Sequence, residues 1–100
     1  MSSRMHITGV FKGTGALVEV KGDKVGFKPV RVRLFNVTDG STADWTDTMG
    51  DGAMLKQKAG NTTNVAAGGA GISALATGFS LGADADLNAS GDVIHFEAIG

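Results

Sequence analysis

The chain has 100 residues, no cysteine, and nine basic against ten acidic side chains, for a formal net charge of −1. This length fits one domain with a small core. The lack of cysteine excludes disulfides, thiol nucleophiles and thiolate metal sites. No stretch reaches the roughly 20 apolar residues of a membrane span, and the first residues lack the apolar run of a secretion signal. We therefore expect a soluble protein, made in a cytoplasm, without a membrane partner.

The opening residues predict a β-hairpin. Apolar side chains and glycine occupy every second position over residues 5–11, and the alternation resumes over residues 16–20. Between the two runs, Gly13 and Gly15 supply the permissive backbone that a tight turn needs. The two runs are therefore expected to pair with each other.

A strand with one buried and one wet face is predicted over residues 30–37. There Val30, Val32 and Leu34 alternate with Arg31 and Arg33, which is the period-two pattern of a half-buried strand. This strand is expected to pack the three apolar side chains into the core.

Later segments extend the all-β pattern. The glycine-bearing runs 38–40, 50–52 and 90–92 predict turns. Strands are expected over residues 53–59 and 71–77 and, with clear alternation, over 94–98. Residues 64–75 are rich in alanine, but their glycines oppose a helix.

The fold class that follows is all-β, a small antiparallel β-sandwich or β-barrel with short strands and glycine-rich turns. Residues 1–5 are interpreted as a flexible N-terminal arm, and residues 6–100 as a single β domain.

The acidic segment 39–51 is read as a loop around the only tryptophan. An exposed Trp45 flanked by Asp44 and Asp47 would anchor a sugar or a partner protein, because indole combines a large apolar area with one polar group. The alternative, which we favour, is that Trp45 fills the core or an interface.

Residues 84–92 place oxygen-bearing side chains at every second position, including Asp84, Asp86 and Asn88. The pattern resembles a calcium loop but has Ala89 where the turn needs glycine and His95 where a bidentate glutamate belongs. We therefore favour a solvated loop whose side chains bond their own backbone, with a weak calcium site as the alternative. No other metal and no cofactor is expected.

The sequence offers little for catalysis or nucleic-acid binding. An enzyme would be a small hydrolase with His95, Glu97 and the 84–92 loop in one pocket, and we do not expect one. The basic stretch over residues 21–33 has few aromatic neighbours, so no nucleic-acid partner is expected. Residues 1–33 carry seven basic and two acidic side chains, and residues 34–100 carry two and eight. We expect the strands, which cross the fold, to bring basic side chains of the first part close to acidic side chains of the second.

A series of short phrases follows in order along residues 24–99. They are Gly26-Phe27-Lys28-Pro29, Asn36-Val37-Thr38-Asp39-Gly40, Gly71-Ile72, Gly78-Phe79-Ser80-Leu81-Gly82 and Ile94-His95-Phe96, with Trp45, Met49, Gly52, Asp84, Asn88 and Gly91 between them. In this order and spacing they resemble a module of the small virion structural proteins of tailed bacteriophages.

The resemblance implies a β protein of the virion that has no catalytic residues. For a short free-standing chain, it implies a head decoration protein, also called a cement or minor capsid protein. Such a protein is made in the host bacterial cytoplasm and binds the major capsid protein on the capsid surface. A homotrimer is expected, because bridging sites lie on threefold axes. Similar modules also occur in tail-associated chains, so the alternative is a tail-tip or fibre-associated module that binds host sugar or protein.

On the decoration hypothesis, the N-terminal arm orders on the capsid, and several apolar side chains contact its subunits. The candidate contact residues are Met1, Arg4, Met5, Phe11, Leu17 and Trp45.

Overall fold

The computed structural model of this chain describes residues 5–38, 40–57, 63–66, 71–84 and 86–100, with the backbone alone for 63–66. The described residues form nine strands, with 3₁₀ turns at Gly22–Lys24 and Asp47–Met49. The strands are β1 (His6–Lys12), β2 (Val18–Lys21), β3 (Arg31–Asn36), β4 (Thr42–Thr46), β5 (Met54–Gln57), β6 (Thr63–Ala66), β7 (Ile72–Leu75), β8 (Gly78–Leu81) and β9 (Val93–Ile99). In this described part of the chain, no helix has the length and apolar character to cross a bilayer.

The strands form two antiparallel sheets that pack as a small sandwich. The larger sheet has the order β1-β9-β3-β4-β5-β6, and the smaller has the order β2-β8-β7. β9 pairs with β1 on one side, from His6↔Ile99 to Lys12↔Val93, and with β3 on the other. The predicted all-β class is confirmed. Of the two expected architectures, sandwich and barrel, the chain forms the sandwich.

The predicted opening hairpin is wrong in its pairing. Both of its strands exist, but β1 pairs with β9 in the larger sheet and β2 pairs with β8 in the smaller one. The chain between them is bonded to the segment before β9, since Gly13 N donates to Asp92 O and Gly15 N donates to Asn88 O. The connection between β1 and β2 therefore passes from the larger sheet to the smaller one, and these bonds hold it against the segment before β9.

The alternation predicted for β3 and β9 is confirmed. Val32 and Leu34 of β3 are buried, and so are Ile94, Phe96 and Ala98 of β9. Val30, expected on the buried side, precedes β3 and is exposed. Of the strand predicted over residues 53–59, residues 54–57 form β5, and residues 58–59 lie outside the described residues.

Part of the segment predicted as an acidic loop is a strand, β4. Ala43 and Trp45 point into the core, and Asp44 lies between them on the other face. The Trp45 side chain is 1% exposed, and its Nε1 donates a hydrogen bond to Gly50 O at 2.8 Å. Its interpretation as a core residue is confirmed, and its proposed role as an exposed contact residue is wrong.

Three phenylalanines from both sheets form the aromatic centre of the core. Phe79 of β8 lies edge-on to Phe11 and Phe96, with ring centroids 6.2 and 5.4 Å apart, and Phe11 and Phe96 are 6.3 Å apart. These separations suit aromatic pairs. Phe11 is only 7% exposed, so this candidate contact residue belongs to the core.

Candidate partner-binding surfaces

The residues that suggested a calcium loop hold the segment before β9 in place. The Asp84 carboxylate is buried, and its Oδ1 accepts hydrogen bonds from the backbone N–H groups of Asp86 and Leu87 at 2.9 and 3.0 Å. Such bonds from an aspartate to the backbone just ahead stabilise a turn. The prediction that these side chains bond their own backbone is confirmed for Asp84, but the loop is not solvated throughout, since Asp84, Leu87 and Asn88 are buried.

A lysine lies at the position where a cation would bind these carboxylates. Lys56 of β5 places its Nζ 2.8 Å from Asp84 Oδ2 and 2.9 Å from Asp86 Oδ2. Burial by itself lowers the pKa of Lys56, but the hydrogen bonds and charges of the two aspartates outweigh this effect and raise it above 10.5. The ammonium group thus occupies the place between the carboxylates that the calcium hypothesis assigns to the metal ion. Among the described residues, no group of three or more His, Cys, Asp or Glu side chains could hold a metal ion.

We expect Lys56→Met to destabilise the fold by about 2 kcal/mol at pH 8, because it leaves two adjacent carboxylates without their counter-charge. Since the folded pKa of Lys56 is raised, its contribution is fully present below pH 10.5 and is lost as the pH rises through the raised value. Urea unfolding at pH 8 and at pH 11 measures both effects. Lys24→Met, at an exposed lysine, is the matched control. Equal losses for the two variants at pH 8 would contradict the assigned role.

Two buried asparagines complete the connections around this loop. Asn88 Oδ1 accepts from Thr14 N at 2.8 Å, and its Nδ2 donates to Ala16 O and Gly82 O at 2.6 and 2.9 Å. Asn36, at the end of β3, donates from Nδ2 to the Asp86 carbonyl and to Asp92 Oδ2. Asn88, the third calcium-ligand candidate, therefore has both of its side-chain polar atoms committed to the backbone.

The groups that the enzyme hypothesis requires do not meet in one pocket. His95 and Glu97 line the outer face of the larger sheet. The 84–92 loop instead bonds to Lys56 of β5 and Asn36 of β3. Both residues occupy inward positions of their strands, on the opposite face of the sheet from His95 and Glu97. The sheet itself thus separates the histidine and glutamate from the aspartates.

The outer face of the larger sheet carries an open groove of about 690 Å³. Its exposed apolar side chains come from β1, β3 and β5: Val10, Phe35 and Leu55. None of the three is among the predicted contact residues. For Phe35 a signal was present, because it shares the outward register of Arg31 and Arg33.

Charged pairs lie beside the apolar side chains on this face. Arg31 forms a two-point contact with Asp44, and this hydrogen bonding raises the pKa of the guanidinium. Glu97 lies 2.7 Å from His6 Nε2 and 4.0 Å from Arg33 Nη1. Basic residues of the first third of the chain therefore meet acidic residues of the remainder, as expected for strands that cross the fold. The groove offers both apolar contact and charged hydrogen-bonding groups to a ligand.

Two of the predicted contact residues are exposed, and they lie at opposite ends of β1. Met5 is 56% exposed and precedes β1, and its carbonyl accepts a hydrogen bond from Gly100 N. Leu17 is 62% exposed and lies in the connection that follows β1. Met1 and Arg4 lie outside the described residues. A seven-residue strand spans about 23 Å, so Met5 and Leu17 mark two separate surfaces.

Each of these ends carries a second exposed apolar side chain. At the Met5 end, Val30 precedes β3, and its N–H donates to Ile99 O. At the Leu17 end, Val37 follows β3. We call these pairs the Met5 end and the Leu17 end.

No protein-family model, curated protein or solved structure matches this chain.

Proposed function

We propose that this chain is a non-enzymatic structural protein of a tailed-phage virion that binds the assembled head and bridges neighbouring major capsid subunits. The observation that carries the proposal is the pair of apolar ends, because a bridging protein needs two contact surfaces. Exposed apolar patches mark protein interaction sites, and each end carries two exposed apolar side chains.

The positions of the resembling phrases support the proposal. Residues 78–81 form β8, the central strand of the smaller sheet, in which all four residues are buried. Asn36 and Asn88 are the two buried asparagines that tie the loops together. The residues that carry the resemblance therefore belong to the buried framework of an all-β domain. The partner is determined by other residues, on the surface.

Met5, the first residue that the structure describes, belongs to one of the two apolar ends. Its carbonyl accepts a hydrogen bond from Gly100 N, beside the start of β3. A short arm that adds contact area beside exposed Met5 and Val30 would strengthen attachment to one subunit, while the Leu17 end contacts another. Two weak contacts on one rigid domain reinforce each other through effective concentration.

We expect deletion of residues 1–5, and separately Leu17→Ser, each to weaken binding to expanded capsid shells by about tenfold or more, because each removes one of two contacts. The shells come from the phage that encodes this sequence, assembled without the protein, and cosedimentation gives occupancy per capsomer. Leu55→Ser, on the outer face and level with the middle of β3, is the matched control.

Saturable wild-type binding at a fixed ratio, lost in the two end variants and kept in the control, would support bridging by the ends. Wild-type protein that leaves the shells unoccupied would overturn the head assignment. Full occupancy by both end variants would show that other surfaces make the contact.

The groove favours a second candidate function, a tail-tip or fibre-associated module that binds host sugar or protein. This alternative first depended on an exposed Trp45, which is buried. Phe35, 47% exposed, lies between Thr42 and His95 of the neighbouring strands and offers an apolar surface for a sugar ring with hydrogen-bonding groups at its rim. Binding to host cells that Phe35→Ser abolishes and Leu17→Ser preserves would favour this function over head decoration.

A further inference from the structure

β1 is an edge strand of the larger sheet, with β9 on one side and no strand on the other among the described residues. Its register with β9 is uninterrupted over all seven residues, so no bulge twists the edge away. β1 contains no proline and no charged side chain directed into the sandwich, the features that usually protect a long edge. The other edge strands, β2, β6 and β7, have only four residues each.

The hydrogen bonds at its two ends show which backbone groups of β1 are free. Gly100 N donates to Met5 O, and Gly13 N donates to Asp92 O. Because hydrogen-bonded and non-hydrogen-bonded pairs alternate in an antiparallel ladder, the odd-numbered residues of β1 direct their backbone groups to β9. The even-numbered residues direct theirs to the free edge. These residues are His6, Thr8, Val10 and Lys12.

We infer that this edge pairs with β1 of a second copy, antiparallel about a twofold axis at Gly9. In this register, Thr8 of each copy exchanges backbone hydrogen bonds with Val10 of the other, and His6 does so with Lys12. The larger sheets of two copies then become one continuous sheet.

The side chains of β1 are complementary in the same register. On the inner side, Ile7 of each copy lies opposite Phe11 of the other, and aromatic and β-branched pairs stabilise antiparallel strands. At the axis the two Gly9 residues meet. Within each chain, a Cβ at this position would lie 2.8 Å from the Phe96 ring, so a larger residue would displace that ring.

The charges at the ends of the edge also match. His6 Nε2 lies 2.7 Å from Glu97 Oε2. Lys12 of the second copy would lie beside this pair, where its ammonium group faces the Glu97 carboxylate across the interface. The twofold axis repeats this contact at the other end of the edge. A dimer of this kind would replace the trimer that the symmetry of capsid sites suggested, and it is independent of the head-binding proposal.

The first experiment measures association and amide exchange on the full wild-type chain. Sedimentation equilibrium over a wide concentration range gives the stoichiometry. Amide hydrogen exchange by NMR, at low and high concentration, reports which N–H groups become protected. We expect a dimer in which the amides of Thr8 and Val10 exchange slowly only at high concentration. The amides of Ile7, Gly9 and Phe11 should be protected at both concentrations, because they bond to β9.

A substitution then tests the edge directly. Thr8→Pro removes an N–H that points to the free edge, so the monomer should keep its fold. The dimer loses two inter-copy hydrogen bonds, which should weaken association about 30-fold. Thr8→Val keeps the N–H and is the matched control.

Three results would overturn the inference: a chain that stays monomeric at all concentrations, a trimer, or a dimer in which Thr8 and Val10 exchange at the same rate as in the monomer. The exchange pattern needs no variant, so the test stands even if Thr8→Pro fails to fold.

Discussion

Trp45→Ala should destabilise this protein by about 4 kcal/mol, within the range for removing a large aromatic side chain from a packed core. Trp45 is almost fully buried, and its indole N–H satisfies the Gly50 carbonyl, so the substitution leaves both a cavity and an unpaired acceptor. A small domain has only about 5–15 kcal/mol of stability to lose. Urea unfolding followed by circular dichroism measures the loss.

Two matched variants separate the causes of that loss. Trp45→Phe keeps one aromatic ring but removes the indole N–H and leaves a smaller cavity than Trp45→Ala, so we expect a loss of about 2 kcal/mol. Phe35→Ala removes an aromatic ring from the exposed outer face and should cost less than about 1 kcal/mol. If Trp45→Ala were as stable as the wild type, the indole would be a surface group, and the core assignment would fail.

Asn88→Ala should cost about 3 kcal/mol, the second largest effect of the variants considered. The side chain accepts from Thr14 N and donates to the carbonyls of Ala16 and Gly82, and each loses its partner on truncation. A buried group left unsatisfied costs about 1–3 kcal/mol, and water entering the space would recover part of it.

The readout for Asn88→Ala is both global and local. Urea unfolding gives the total loss, and faster exchange of the Thr14 amide identifies the broken contact. Ser90→Ala, at an exposed neighbour in the same loop, should change stability by less than about 0.5 kcal/mol. A loss no larger than that of the control would show that the loop does not depend on Asn88.

The local features of the fold were predictable from the sequence. Alternation alone identified the inward residues of β3 and β9, because a strand with one buried face must place apolar side chains at every second position. The strand positions of β1 and β2 followed from the same pattern. Their pairing did not, since residues far apart in the chain supply the partners, and alternation carries no information about which strand lies beside which.

The candidate surfaces were less predictable, for a related reason. Phe11 and Trp45 are apolar, but their exposure depends on which face of a strand they occupy and on what covers that face. Phe11 lies in the inward register of β1, and Trp45 is opposite Val32 across the β3–β4 ladder. β4 was predicted as a loop because Asp44, which points outward from this five-residue strand, is an acidic residue of the kind that is common in loops. Lys56 could not be linked to Asp84, which lies 28 residues away.

The pairing of β1 with β9 determines when this protein can fold. Their partners are between 81 residues apart, for Lys12 and Val93, and 93 apart, for His6 and Ile99. Folds that depend on such distant contacts form slowly. During synthesis, β1 must remain unpaired with β9 until residues 93–99 have left the ribosome. Premature termination before this point would leave β1, Phe11 and one side of β3 exposed together. Truncated chains should therefore aggregate and not accumulate as a smaller soluble domain.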